Sequence, residues 1–250
     1  MSDVQQFIQS LDVPDPPSTT RAMQAARVPD LGSDQHAVVI GAQMAEFSAE
    51  VPANLRPAIS QGLLLGQLAA DKAVGTTGNV QLWYETFGLV MRKIGWLMTD
   101  LDFQEQTSTD SGAELHKAII PVIMAMLGPQ AAVASIIMAV LKGMEDMQKD
   151  TPWLTLFQRK SQSFHGAKFQ MSYVDAGPSG GATLKAVYFG IDAQQAVTQV
   201  LFFKVATQAT TLRNASTKMS LGASEIEQLA GPLRDKVLPF IAENIRDIEV

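Results

Sequence analysis

The stretch from Ala193 to Leu221, and above all its centre Gln199-Val200-Leu201-Phe202-Phe203-Lys204-Val205, constrains the fold more than any other part of the chain. An alternating segment there runs into a nearly continuous apolar one rich in β-branched and aromatic residues. That is the pattern of one long strand buried on both faces. Such a strand needs cover on two sides. A chain of 250 residues, 46% of them hydrophobic and 18% charged, has enough apolar material to supply it within one domain.

Helices are the expected cover. Ser33 or Asp34 caps an apolar segment with Val38, Val39, Ala42, Ala45 and Phe47 at roughly helical spacing, ending before Pro52. A second helix from about Arg56 to Ala73 has Pro57 in its first turn and a wide stripe through Ile59, Leu63, Leu64, Leu65 and Leu68. The two make a helical hairpin over 34–73. From Val80 a short helical or irregular piece leads into a strand starting near Ile94. A second helical hairpin, 113–149, contains the uncharged run from Ala118 to Leu141. About 20 apolar residues suffice to span a bilayer, but Gly128-Pro129 splits the run into two shorter helices. A buried core hairpin and a membrane-inserting one both fit it.

Beyond Pro152-Trp153 the period changes from helical to two. Lys168, Gln170 and Ser172 alternate with Ala167, Phe169, Met171 and Tyr173; a turn follows through Asp175 to Gly181; Val187, Phe189 and Ile191 then oppose Ala186 and Tyr188. With the central strand and a last one near Asn214 to Leu221, these form a four-stranded meander over 164–221. A C-terminal helical tail, 222–250, is interrupted at Gly231-Pro232. Residues 1–19, with Pro14, Pro16 and Pro17, read as a flexible arm holding at most one helical turn, and Thr19 to Val28 as a short edge strand. The expected fold class is α+β, in the broad sense α/β: one domain over 20–250 whose central antiparallel β-sheet is flanked on both faces by α-helical hairpins, in three layers.

Recognisable chemistry is sparse. A net charge of −6 with no basic run argues against a nucleic-acid partner. The absence of cysteine excludes disulfides, thiolate metal sites and cysteine nucleophiles, and leaves cytosolic and secreted settings both open. The N-terminus shows no conventional secretory signal, so export is expected to follow a non-classical route. His36, His116 and His165 lie far apart without carboxylates at metal-ligand spacing. Gly177-Pro178-Ser179-Gly180-Gly181 lies between strands, a hairpin turn rather than a phosphate cradle. Asp100, Asp102 and Glu105 read as a solvated strand face. No catalytic residue, metal or cofactor is expected, and the chain does not read as an enzyme.

The run Ala196-Val197-Thr198-Gln199-Val200-Leu201-Phe202-Phe203-Lys204-Val205 resembles the corresponding strand of the Cyt-type cytolytic delta-endotoxins. The Trp153 segment, the hairpin through Gly180-Gly181 and Thr217-Lys218-Met219 resemble that family's order, and the upstream helical pairs match in kind and position. The wider fold also includes volvatoxin-type cytolysins and a bacterial virulence factor. The resemblance implies a soluble monomer or homodimer that binds membrane phospholipids, self-associates there and permeabilises the bilayer without enzymatic turnover. It further implies that Phe169, Met171, Tyr173, Phe189, Val200, Leu201, Phe202, Phe203 and Val205 contact helices in water and lipid or other protomers when bound. Trimming of both ends, common in the family, would fall near Arg21 and Arg27, and on the tail beyond Gly222. The alternative is a virulence factor of the same fold that binds a lipid or fatty acid without forming pores.

Overall fold

The computed structural model describes residues 2–17, 31–75, 79–99, 103–108, 115–127, 135–143, 151–163, 166–193 and 210–248. Helices are α1 (Asp3–Ser10), α2 (Arg56–Val74), α3 (Val80–Lys93), α4 (Leu115–Leu127), α5 (Ser135–Gly143), α6 (Pro152–Ser161) and α7 (Ala223–Asn244). Strands are β1 (His36–Ile40), β2 (Gln43–Phe47), β3 (Leu97–Met98), β4 (Gln104–Ser108), β5 (Gln162–Ser163), β6 (Gly166–Ala176), β7 (Ala182–Ala193), β8 (Thr210–Leu221) and β9 (Ile245–Asp247). They form one sheet in the order β3-β8-β7-β6-β2-β1-β9, with β4 also paired to β8 and β5 to β6. The pairs are antiparallel except β2 with β6, which run parallel with Met44 opposite Met171.

Strand alternation sends two apolar sets to opposite sides of this sheet. Val38, Ile40, Phe47, Leu184, Tyr188 and Met219 pack under α1, α2, α3 and α7. Val39, Met44, Phe169, Met171, Phe189 and Ile191 pack under α4, α5 and α6. The expected three-layer α+β architecture is therefore the one observed. Because both faces are covered, the polar set of β6 is buried too: Lys168 and Ser172 are satisfied through a seam to α2 and β2, whereas the Gln170 side-chain amide is buried without a hydrogen-bond partner. Lys168 Nζ lies 2.9 Å from Asp71 Oδ1, Gln43 donates to Ser172 Oγ at 2.8 Å, and Gln67 receives the Ala42 amide and donates to the Ile40 carbonyl.

Several sequence expectations are corrected. Residues 34–51 form no helix, so 34–73 is not a helical hairpin: β1 and β2 make a β-hairpin about Gly41, whose φ of +57° suits glycine. Both strands are covered on both sides, so their apolar residues lose the two-residue alternation and mimic helical spacing. Residues 3–10 are not a flexible arm. Ser2 and Gln5 close a capping box at the start of α1, and Ile8 is fully buried in the cluster that includes α7. Helix α3 runs four turns where a short piece was expected, and α6 was missed, although Pro152 in its first turn precedes Trp153, Leu154, Leu156 and Phe157 at helical spacing. Pro232 and Pro239 do not interrupt α7, whose buried Leu229, Leu233, Val237 and Phe240 keep one face seated; β9 then pairs with β1, so the tail is part of the sheet. Finally, Ala193 lies opposite Thr210 and β7 pairs directly with β8 throughout, so no single strand runs from Ala193 to Leu221 and none intervenes between β7 and β8. Residues 199–205, like the expected strand at 19–28, lie outside the described residues.

Arg56 stitches the entry to α2. Fully buried, it uses all five guanidinium N–H groups on backbone carbonyls: Nε on Val51 at 3.1 Å, Nη1 on Leu31 at 2.8 Å and Asp34 at 2.7 Å, Nη2 on Ser33 at 3.0 Å and Ser48 at 2.9 Å.

Candidate functional site

Four of the predicted contact residues converge on one face. Phe169 and Phe189 are cross-strand partners whose rings stack with centroids 4.8 Å apart, and Phe157 of α6 meets Phe169 edge-on at 6.2 Å. Met171 lies opposite Val187 and Tyr173 opposite Lys185 on the same side. All four are at most 2% exposed. From the far face, the Tyr84 hydroxyl of α3 lies 2.8 Å from the Phe169 carbonyl oxygen and 2.9 Å from that of Phe189, fixing the backbone of the stacked pair. Val200, Leu201, Phe202, Phe203 and Val205, and Arg21 and Arg27, lie outside the described residues.

Among the described side chains, the lid over this face is apolar on both sides. Ile119 and Ile123 of α4, and Ile137, Val140 and Leu141 of α5, point into the cluster. Pro121, Met124 and Ala125 of α4 and Ala139 of α5 point outward, Met124 with 47% of its surface exposed. Sequence reasoning found these helices but missed what seats them. Glu46 of β2, fully buried, accepts the Ile137 amide at 3.1 Å and the Ile136 amide at 3.5 Å, so a carboxylate closes the first turn of α5. Gln35 Nε2 also donates to Glu46. Among the described residues no helix is long and apolar enough to cross a membrane.

Two of the remaining candidate residues tie strands together. His36 Nε2 lies 3.0 Å from Asp247 Oδ1 and ties β1 to β9, while Glu105 pairs with Arg213 across β4 and β8 at 3.0 Å. Asp100 and Asp102 lie outside the described residues.

All three tyrosines, Tyr84, Tyr173 and Tyr188, have phenols held above their ordinary value near 10. Burial is the main cause in each. It acts with the charge of Asp175 to push Tyr173 up to about 12, while a hydrogen bond with Ser48 acts the other way. A phenol whose folded pKa is raised contributes its full stability below the unfolded value, and loses it as pH climbs through the folded one. Alkaline titration is thus expected to show no separate tyrosinate signal near pH 10. Ionisation should instead coincide with loss of the circular-dichroism signal as pH rises from about 10 toward 12.

No family model matches the chain, and no curated protein matches it. Among solved structures the chain is similar to the Evf virulence factor, with 10% identity over 87% of this chain and 90% of that one and a TM-score of 0.37. It is also similar to a delta-endotoxin, with 14% identity over 74% of this chain and 84% of that one and a TM-score of 0.41. Identities this low carry no function across.

Proposed function

We propose that the protein binds phospholipid bilayers and permeabilises them as a cytolysin, with the α4–α5 pair leaving the sheet so that lipid takes its place. One observation carries this reading: the described side chains of α4 and α5 are apolar on the outward side as well as the side facing Phe169 and Phe189, so they exchange one apolar neighbour for another at little solvation cost. Neither helix spans a bilayer, so the bound form keeps them at the interface, and the freed strands satisfy their backbone by pairing with further copies. The protein then acts at a target membrane, and cleavage near Arg21 or Arg27 would remove α1 from α7. A carrier that holds a lipid or fatty acid between sheet and helices is the second reading, with no specific observation in its favour. Dye release from phospholipid vesicles, before and after protease trimming, tests the proposal, and no release in either state refutes it; uptake of added fatty acid without release identifies the carrier.

The same account gives Glu46→Gln a direction. Removing the charge at the first turn of α5 weakens its seat by about 1–2 kcal/mol. Faster amide exchange in α5 and a shorter lag before dye release are expected, with the fold retained. Unchanged exchange would show that Glu46 does not seat the helix.

A further inference from the structure

Beneath the lid lies a carboxylate. Glu46 of β2 is fully buried on the face that α5 covers, and accepts the Ile137 amide at 3.1 Å, the Ile136 amide at 3.5 Å and a hydrogen bond from Gln35 Nε2. The register sets it in one cross-strand row with Ala37 of β1, Tyr173 of β6, Lys185 of β7 and Lys218 of β8. The charges of Asp175, Glu46 and Glu50 all act on the Tyr173 phenol, so three carboxylates share this end of the sheet. Other charged groups on the elements packed here are placed further off. His36 alternates to the opposite face of β1, against Asp247, and Arg246 of β9 is in the row of Val39 and Met44. Asp34, beside Gln35, acts on Arg56, and Arg159 and Lys160 of α6 lie by Glu243 and Asp71. Lys142 is in the last turn of α5, and His116 and Lys117 are in the first turn of α4.

We propose that Glu46 is an acid-sensitive latch, and that protonation of its carboxylate unseats α5. The proposal rests on the reading that α4 and α5 leave the sheet, and adds what sets them free. Docking of α5 does two opposed things to the carboxylate. It strips water, which favours the proton, and it brings the Ile136 and Ile137 amides at the positive end of a helix, which oppose it. Those charge-assisted bonds are about twice as strong as neutral ones and replace the lost water, so the docked carboxylate holds off a proton better than the undocked one. Protons then bind preferentially to the form with α5 away, and by linkage acid populates that form. Seating is complete well above the ordinary glutamate value near 4.3 and is lost as pH falls toward and through it. Glu50 and Asp175 are present with α5 docked or gone. Their charges move the pH at which Glu46 takes its proton upward in both forms, and Lys185 moves it downward in both, without deciding the direction of the switch.

The test is amide exchange of the full chain without lipid at about pH 7 and about pH 4.5, read by mass spectrometry, with each rate divided by that of an unstructured peptide at the same pH. Protection in α5 is expected to fall at least about tenfold in acid while α2 and α3 keep theirs. Glu46→Gln should show weak α5 protection that agrees within about twofold at the two pH values, since it has no proton to gain. Ile136→Pro, a substitution that the first turn of a helix tolerates, removes one donor and keeps the carboxylate, and should shrink the acid response. Circular dichroism establishes that each variant is folded. An α5 protection that is unchanged or higher in acid, a fall of equal size in Glu46→Gln, or a fall shared by α2 and α3 would each overturn the latch. Dye release from phosphatidylcholine vesicles at the same two pH values separates this from the membrane reading. If vesicles leak while α5 protection ignores pH, the latch fails and the membrane reading stands. If α5 loosens in acid as expected and no vesicle leaks at either pH, the membrane reading fails and the latch stands.

Discussion

Arg56→Met is expected to be the most damaging single substitution outside the apolar cores, lowering stability by at least about 3–5 kcal/mol. The side chain is fully buried and every N–H it carries meets a backbone carbonyl, from Leu31, Ser33, Asp34, Ser48 or Val51. Methionine fills much of the volume but leaves five carbonyls without their donor, and each stranded buried acceptor costs about 1–3 kcal/mol unless the loop opens to water. Opening it would detach the segment at 31–34 from the start of α2 and expose Phe47, over whose ring the guanidinium sits at 5.7 Å. Lysine keeps the charge but offers three donors from a single atom, so Arg56→Lys should recover only a minor part of the loss. Chemical denaturation of the two variants checks this. A loss below about 1 kcal/mol for Arg56→Met would mean that the loop carbonyls find other partners.

Local chemistry in the sequence was a good guide where it decided the structure, and a poor one where distant elements did. The division of 113–149 into two helices was legible because Gly128-Pro129 interrupts an otherwise helical run. The β6–β7 hairpin was legible because Lys168, Gln170 and Ser172 alternate with Phe169, Met171 and Tyr173 before a glycine-rich turn, and Gly181 sits where a Cβ would lie 2.0 Å from the Leu221 carbonyl oxygen. The β1–β2 hairpin was hidden by its own burial: with Val38 under one helical layer and Val39 under the other, no polar beat remained to mark a strand. The reading of Ala193 to Leu221 as one strand failed because apolar continuity does not encode where the chain turns back, and Ala193 faces Thr210.

The candidate site was half legible. Alternation put Phe169, Met171 and Tyr173 on one face of β6, while Phe189 joins them only through the β6–β7 register. Glu46 was hidden, because an acidic residue between Ala45 and Phe47 signals nothing until the start of α5, 90 residues away in sequence, is set upon it.

A covalent staple holding α5 to β2 is expected to abolish permeabilisation. The two elements approach closely, with the Ile137 amide 3.1 Å from the Glu46 carboxylate, and the chain has no cysteine of its own, so one engineered pair gives one defined disulfide. The pair should be placed where the Cα atoms lie within about 4.4–6.8 Å, so that the bridge forms without strain. Vesicle dye release by this variant, oxidised and then reduced in the same preparation, is the most direct measurement of the account. Release below about a tenth of wild type when oxidised, restored on reduction, is the predicted result; this ratio corresponds to about 1.4 kcal/mol or more on the release step. Equal release in both states would contradict it, because the helices would then have no need to leave the sheet.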